Sequence, residues 1–370
     1  MKRLLCLVLC AVLLSGLRIS AMAVSAKAAA VINGDTGEIL FSQNADEKLP
    51  MASTTKIMTA LLLCEHGEPE KEITVTADML RVEGSSMGLL AGDRVTYHDL
   101  LYGMMLASGN DAANVTAIAL GGSVEQFVEK MNAKAAELGL NNTHFVTPSG
   151  LDADGHYTTA AELAALAAYA LKNENFAKAA ASESAVLNYG NPPYRRSLKN
   201  HNKMLKLYDG AVGVKTGFTK KSGRCLVSAA KQDGKLAVAV TLNDPNDWED
   251  HAALLDFGLS EIKQTDYSPK TSMYAIPVIG SDTEKLQVFI EPYTVNTLET
   301  QNINCTVNLP KFLYAPIKKG EVLGTAVYTL NGKVIGTVEL KALTGAEPYS
   351  EPLGIAEILI RNIKYIFLNF

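Results

Sequence analysis

Leu49-Pro50-Met51-Ala52-Ser53-Thr54-Thr55-Lys56-Ile57-Met58-Thr59-Ala60-Leu61-Leu62-Leu63 carries the chain from a loop into a helix that is apolar nearly all round. Such a helix is buried, so the fold must wrap around it. Ser53 and Lys56 open it at an i, i+3 spacing, which puts hydroxyl and amine on one face within hydrogen-bonding reach. Burial and a second cation would lower the lysine pKa enough for a neutral amine to take the serine proton. The helix N-terminus adds positive potential where an oxyanion would form. Taken alone, the spacing is better explained by a capping serine and a surface lysine.

Two further triplets lie downstream. Ser108-Gly109-Asn110 follows an apolar segment and precedes a helix starting near Ala112. Its hydroxyl and amide could relay a proton and hold a peptide, although all three residues also suit helix punctuation. Lys215-Thr216-Gly217 ends a strand-like run that begins at Ala211. There Lys215 would supply the second cation, Thr216 a hydroxyl for a carboxylate, and Gly217 room for a substrate backbone.

The elements around these triplets define the class. Residues 30–41 read as a hairpin around Gly-rich turn chemistry, and helical patterns recur at 100–120, 124–138 and 159–172. Residues 225–230, Asp233-Gly234 and 236–242 make a second hairpin. Helices between early and late strands predict an α+β fold, with one sheet built from both ends of the segment. Near Ser268-Pro269 the pattern changes to alternation and turns. Residues 268–344 read as a small all-β domain, whose hairpin signal is strongest at Asn331-Gly332.

The two ends differ from the rest. Met1-Lys2-Arg3, an apolar core at residues 4–14, and A-x-A-like cleavage patterns at Ala21 and Ala23 or at Val24 and Ala26 describe a leader of about 26 residues. Its core is half the roughly 20 residues that a membrane span needs. The expected fate is therefore export across the cytoplasmic membrane. In residues 350–370, Ile355, Ile358, Leu359, Ile363, Ile366 and Phe367 share one helical face, with Glu357, Arg361 and Lys364 away from it. That pattern predicts an amphipathic helix too short and charged to span the bilayer, which leaves a membrane surface or the protein itself as its resting place. The membrane is favoured because no core lies beside the tail in the sequence.

Composition narrows the functions. The 370 residues are 48% hydrophobic and carry a net charge of −5. Losing Lys2, Arg3 and Arg18 with the leader takes that charge to −8. A protein this acidic has no basic excess to neutralise a nucleic-acid backbone. Only Cys64, Cys225 and Cys305 follow the leader, so disulfides do not build the framework. Cys64 and Cys225 lie in apolar runs and read as small buried hydrophobes. The histidines show no H-x-x-x-H or H-x-x-E-H spacing, so neither a metal nor another cofactor is expected.

Together, S-x-x-K, S-x-N and K-T-G in this order are specific. The chain resembles the low-molecular-mass penicillin-binding proteins, the D-alanyl-D-alanine carboxypeptidases of serine peptidase family S11. The resemblance covers residues 28–259 and includes 49–56, 101–114, Thr147-Pro148-Ser149-Gly150-Leu151-Asp152, Asn200-His201-Asn202 and 210–219. It implies the penicillin-binding/β-lactamase-like serine transpeptidase fold, a helical cluster on an antiparallel sheet. It also implies a catalytic domain over 27–264, with the β domain and tail as accessories.

Carried over, the resemblance makes Ser53 the acylated nucleophile, Lys56 its base, and Ser108 and Asn110 the proton shuttle and substrate contacts. Lys215 and Thr216 would meet the substrate carboxylate beside Gly217. The backbone N–H groups of Ser53 and Phe218 would form the oxyanion hole. The implied substrate is the D-Ala-D-Ala end of a peptidoglycan stem pentapeptide, with β-lactams as inhibitors. Some relatives carry a carboxylate-receiving arginine where Asp247 falls here, which leaves that contact unassigned beyond Lys215 and Thr216; His201 is a candidate neighbour.

A DD-endopeptidase or transpeptidase would share the nucleophile. A class A β-lactamase would need an E-x-x-L-N pattern that the segment at Glu162 lacks. A non-catalytic peptidoglycan-binding protein would be expected to have lost Ser53 or Lys56. Carboxypeptidase activity is therefore the expected function.

Overall fold

The computed structural model describes residues 24–298, 303–350, 354–357 and 360. The first part runs β1 (Ala28–Asn33), β2 (Ile39–Gln43), a 3-10 turn (Ala52–Thr55) continued by α1 (Lys56–His66), β3 (Glu72–Thr74) and β4 (Arg94–Thr96). Next come α2 (Tyr97–Met105), α3 (Asn110–Gly121), α4 (Val124–Glu137), α5 (Ala160–Ala170) and α6 (Glu174–Ala181). The chain returns to strands with β5 (Ser184–Gly190), β6 (Pro193–Lys199), β7 (Ala211–Thr219), β8 (Gly223–Gln232) and β9 (Lys235–Leu242), and closes this part with α7 (Asp247–Glu261).

The main sheet has the order β2-β1-β9-β8-β7 and is antiparallel throughout. It is built from both ends of the segment, as the sequence predicts. Alternate residues of β1 serve two different cores: Ala28, Ala30 and Ile32 join the cluster containing α1, whereas Ala29 and Val31 join the cluster containing α7. A strand covered on both faces needs apolar residues at every position, which explains the continuous run from Ala28 to Ile32. The β8–β9 turn has positive φ at both Asp233 (49°) and Gly234 (78°), the geometry a two-residue hairpin requires.

Helix α1 is buried from Lys56 to Leu61. The 100–120 pattern divides in the structure into α2 and α3. Helix α2 starts at a reciprocal cap: the Thr96 hydroxyl accepts from Asp99 N–H while the Asp99 carboxylate accepts from Thr96 N–H. A second sheet, β3-β4-β5-β6, was not foreseen. Its β5–β6 hairpin supports a loop beside the active centre: Tyr189 donates its hydroxyl to Met87 O at 2.7 Å, and Arg196 stacks between Tyr189 and Tyr194 while donating to Gly88 O.

The C-terminal part contains β10 (Lys263–Tyr267), β11 (Met273–Ile279), β12 (Lys285–Phe289), β13 (Tyr293–Thr297), β14 (Ile303–Asn308), β15 (Leu313–Tyr314), β16 (Val322–Leu330) and β17 (Lys333–Lys341). They form three small sheets around their own core, which includes Leu286, Val288, Ala326 and Tyr328. Asn331 and Gly332 make the expected tight turn, with φ of 51° and 81°. This part touches the first through polar contacts. Asn33 Nδ2 donates to Asn296 O at 2.7 Å, Asn296 Nδ2 to Asp35 Oδ2 at 2.9 Å, and Thr297 Oγ1 to Glu38 Oε2 at 2.6 Å.

Residues 1–23 of the expected leader and most of the expected amphipathic tail lie outside the described residues. Among the described residues, no helix is long and apolar enough to cross a membrane.

Candidate active site

The 3-10 turn holds Ser53 at the mouth of a cleft of about 480 Å³, lined also by Ser85, Ser108, His201, Thr216, Gly217, Phe218, Arg224, Asp247 and Trp248. The turn begins at Ala52, whose φ of 47° is unusual for an alanine. Lys56 is fully buried behind Ser53, and its Nζ has three neighbours: Ser53 Oγ at 3.0 Å, Asn110 Oδ1 at 2.7 Å and Ser149 O at 2.7 Å. The last two are acceptors only. A neutral amine has two N–H groups and one lone pair. Spending both N–H groups on Asn110 and Ser149 leaves the lone pair facing Ser53 Oγ. Burial and then the nearby Lys215 charge drive the Lys56 pKa well below its ordinary value, against an opposing pull from Asp111. Geometry and charge therefore favour the form of Lys56 that accepts a proton.

Each partner of Lys56 is itself fixed. Asn110 Nδ2 donates to Glu83 O at 2.6 Å, which leaves its carbonyl oxygen as the face toward Lys56. Thr147-Pro148-Ser149-Gly150 is pinned to α1, where Thr59 Oγ1 donates to Pro148 O at 2.6 Å. Gly150 has φ of 87°, and a Cβ there would lie 1.9 Å from Ala52 O. Only glycine lets this loop close on the serine turn. His156, held neutral by burial, which takes its pKa down to about 4, meets the Thr55 hydroxyl at 2.8 Å.

Ser108 is buried in the bend between α2 and α3, with φ of 56°. Asp111, one residue beyond Asn110, accepts from Ser86 Oγ and from the backbone N–H groups of Met87, Gly88 and Leu89. It anchors the loop that carries Ser85 to the cleft.

On β7, Lys215 and Gly217 face the serine turn. Lys215 is buried, which takes its pKa down to about 7, and its Nζ donates to Thr216 O at 3.0 Å. A Cβ on Gly217 would lie 3.0 Å from Ser53 N and 3.1 Å from Met51 O, so glycine allows the strand backbone to lie against the serine N–H. Phe218 follows, with its side chain exposed. All eight residues singled out from the sequence thus lie around one cleft or in its wall.

Sequence reasoning missed one of the charged residues of the cleft, Arg224. Arg224 on β8 is paired in register with Phe218 and lines the same cleft. Its Nη2 donates to Asp247 Oδ1 at 2.6 Å, its guanidinium lies 5.5 Å from the Trp248 ring, and its Nε has no hydrogen-bond partner among the described residues. Asp247 therefore does not stand in for an arginine; it holds one that arrives from the neighbouring strand. The sequence signal was an arginine three residues beyond the pair Lys220-Lys221, which says nothing of facing until the register is known. His201 also lines the cleft, half-buried, its pKa lowered by burial and then by Lys215.

The cleft sets a serine against a buried lysine, an arrangement suited to an active-serine enzyme, and its open end is ringed by cations and donors suited to a carboxylate. Comparison with known proteins agrees. Residues 16–246 match the family model of D-alanyl-D-alanine carboxypeptidase, and residues 264–347 match that of the penicillin-binding protein 5 C-terminal domain. The chain is 34% identical to D-alanyl-D-alanine carboxypeptidase DacF of Bacillus subtilis over 86% of its own length and 85% of that protein's. Its identity to DacC of Escherichia coli is 32%, over 86% and 83%. Among solved structures, D-alanyl-D-alanine carboxypeptidase DacD of Francisella tularensis superposes with a TM-score of 0.65 at 27% identity, covering 90% of this chain and 96% of that one. The chain belongs to the D-alanyl-D-alanine carboxypeptidase family of serine peptidases.

Proposed function

We propose that this chain removes the terminal D-alanine from peptidoglycan stem pentapeptides through an ester on Ser53. Lys56 Nζ takes the Ser53 proton as Oγ attacks the carbonyl carbon of the penultimate D-alanine. The backbone N–H groups of Ser53 and Phe218 receive the oxyanion. The proton passes through Lys56 and Ser108 to the departing amine, and the C–N bond breaks to release D-alanine. Water then attacks the ester, gives its proton to Lys56, and frees Ser53 and the shortened peptide acid. β-Lactams would acylate the same oxygen. The carrying observation is the three-partner geometry of Lys56 Nζ, which leaves a lone pair directed at Ser53.

In this reading the substrate carboxylate lies among Lys215, Thr216 and Arg224, with Asp247 orienting the guanidinium. The protein would work outside the cell, delivered by its leader and held on the membrane surface by the tail. The support is the residue pattern at both ends, together with an Ile355 that is 80% exposed.

The test is D-alanine release from a diacyl-L-Lys-D-Ala-D-Ala peptide by purified protein, alongside Arg224→Ala. Charge-assisted hydrogen bonds to a carboxylate are worth about 1.5–3 kcal/mol. The variant should therefore lose roughly 10- to 100-fold in kcat/KM on the peptide. On an amidated peptide end it should lose little. Equal losses on both peptides would remove Arg224 from carboxylate recognition, and no release by the wild type would reject the activity.

A further inference from the structure

Three residues that one of the two leader-cleavage patterns would discard are built into the fold. Val24 and Ala26 are 9% and 5% exposed, within the apolar layer between the main sheet and α7. Gln43 Nε2 donates to Ala26 O at 2.7 Å and reaches Val24 O at 3.3 Å. Between them, the Ser25 N–H donates to Asp250 Oδ2 at 2.6 Å. The Ser25 hydroxyl lies 2.7 Å from Asp244 Oδ1 and 2.8 Å from Asp250 Oδ2.

That hydroxyl has one proton, so it serves one carboxylate at a time. Asp244 is fully buried, and its Oδ2 has no hydrogen-bond partner among the described residues. Two other donors soften the site only partly: the Asn246 N–H donates to Asp244 Oδ1 at 3.0 Å, and the Thr241 hydroxyl lies beside the same carboxylate. The nearby cations are committed elsewhere: Lys27 to Glu47 at 2.6 Å and Arg224 to Asp247 at 2.6 Å. Two carboxylates thus converge on the first described residues without a cation of their own. Asp250 is half-buried and Ser25 exposed, but the charge of the buried Asp244 is costly unless positive charge is supplied nearby.

We propose that the leader is cut after Ala23, and that the α-ammonium this creates on Val24 is the counter-ion of the Asp244–Asp250 pair. Standard bond lengths keep consecutive backbone nitrogens within about 3.7 Å. Val24 Nα must therefore lie within roughly 6 Å of Asp250 Oδ2, given the 2.6 Å Ser25 contact. That is the range over which an opposite charge acts on an ammonium. The alternative cut, after Ala26, would remove two buried side chains, both Gln43 acceptors and every Ser25 contact. It would leave Asp244 and Asp250 facing each other. Helix α7 then has three tasks along one stretch: Asp247 holds Arg224, Asp250 holds the new N-terminus, and His251 ties Ser228 to Thr241.

This inference rests on the exported reading, and the experiment separates the two. The full chain is expressed with its own leader in a bacterial host, and the exported protein is examined by intact-mass and N-terminal peptide mass spectrometry. A chain starting at Val24 is the expected result. A start at Lys27 would overturn the proposal and leave export standing, whereas an uncleaved chain would overturn both. The ion pair has its own readout, the pH dependence of Val24 α-amine acylation by an N-hydroxysuccinimide ester. The titration should fall at least one unit above the ordinary range of about 7.7–8.0, so labelling at pH 7 is roughly tenfold slower than for a free α-amine. Asp250→Asn should restore the faster rate. A titration inside the ordinary range in the wild-type protein would overturn the ion pair whether or not the variant folds.

Discussion

At the scale of single residues, the proposed mechanism needs its two lysines in opposite protonation states. Lys56 must be neutral to act, and burial beside Lys215 lowers its pKa in the required direction. Activity therefore rises from acid pH as Lys56 loses its proton. Lys215 must be charged to attract a carboxylate, and burial brings its pKa to about 7. Its ammonium form, and with it kcat/KM, should fall as pH rises through that value. Lys215→Arg keeps the charge at every accessible pH, so the alkaline fall should move upward by more than a unit even as the maximum drops about tenfold through poorer fit. A pH–rate profile on the D-Ala-D-Ala peptide checks this. An unchanged alkaline limb in Lys215→Arg would assign that limb to another group. Burial pushes the Cys64 thiol up to about 12 and the Cys225 thiol up to about 11, away from the thiolate range.

At the scale of elements, the proposed mechanism depends on how closely β7 approaches the serine turn, and Gly217 permits that approach. Adding a methyl group 3.0 Å from Ser53 N should push strand and turn apart by a few tenths of an ångström. Because Gly217 does not lie at positive φ, Gly217→Ala should leave the fold intact. Displacing the oxyanion donors should nevertheless cost about 100-fold in acylation rate. Stopped-flow acylation by a chromogenic β-lactam, with circular dichroism as the folding control, measures this; acylation within twofold of wild type would show that the approach is not limiting.

These same elements show what could be read in advance. The main sheet was legible because β1, β8 and β9 are continuous apolar runs and because Asp233-Gly234 dictates a tight turn. The serine turn and β7 were legible because their motifs are local. The β3-β4-β5-β6 sheet was not, since β3 and β4 are very short, β6 is largely polar, and residues 97–183, carrying five helices, lie between β4 and β5. Arg224 and Asp247 were likewise invisible as a pair: each lies in an ordinary turn-flanking stretch, and only the β7–β8 register and the start of α7 bring them together. Ser149 was quoted as part of a motif, but its task, accepting from Lys56 through a backbone oxygen, leaves no side-chain signature.

At the scale of the whole molecule, the chain divides labour between an active-serine domain and a β domain joined to it by polar contacts through Asn296, Thr297 and Glu38. That junction lies at the β1–β2 turn, on elements separate from the serine turn and β7. The C-terminal tail, with its apolar helical face and flanking charges, is expected to bind membranes without spanning them. A protein ending at Pro352 should stay in the supernatant when spun with anionic lipid vesicles, whereas the full exported chain should sediment with them. Equal sedimentation of both would rule out the tail as the attachment. The same truncation should leave peptide hydrolysis within about twofold, because the cleft draws no residue from beyond Trp248.

The central claim is that Lys56 activates Ser53 to form a covalent ester. Its most direct measurement is mass spectrometry of the protein after brief exposure to benzylpenicillin, with peptide mapping of the adduct. The expected result is one acyl group, located on Ser53, absent in Ser53→Ala and formed at least about 100-fold more slowly in a folded Lys56→Ala. An adduct on any other residue, or one that forms on Ser53 at full rate without Lys56, would contradict it.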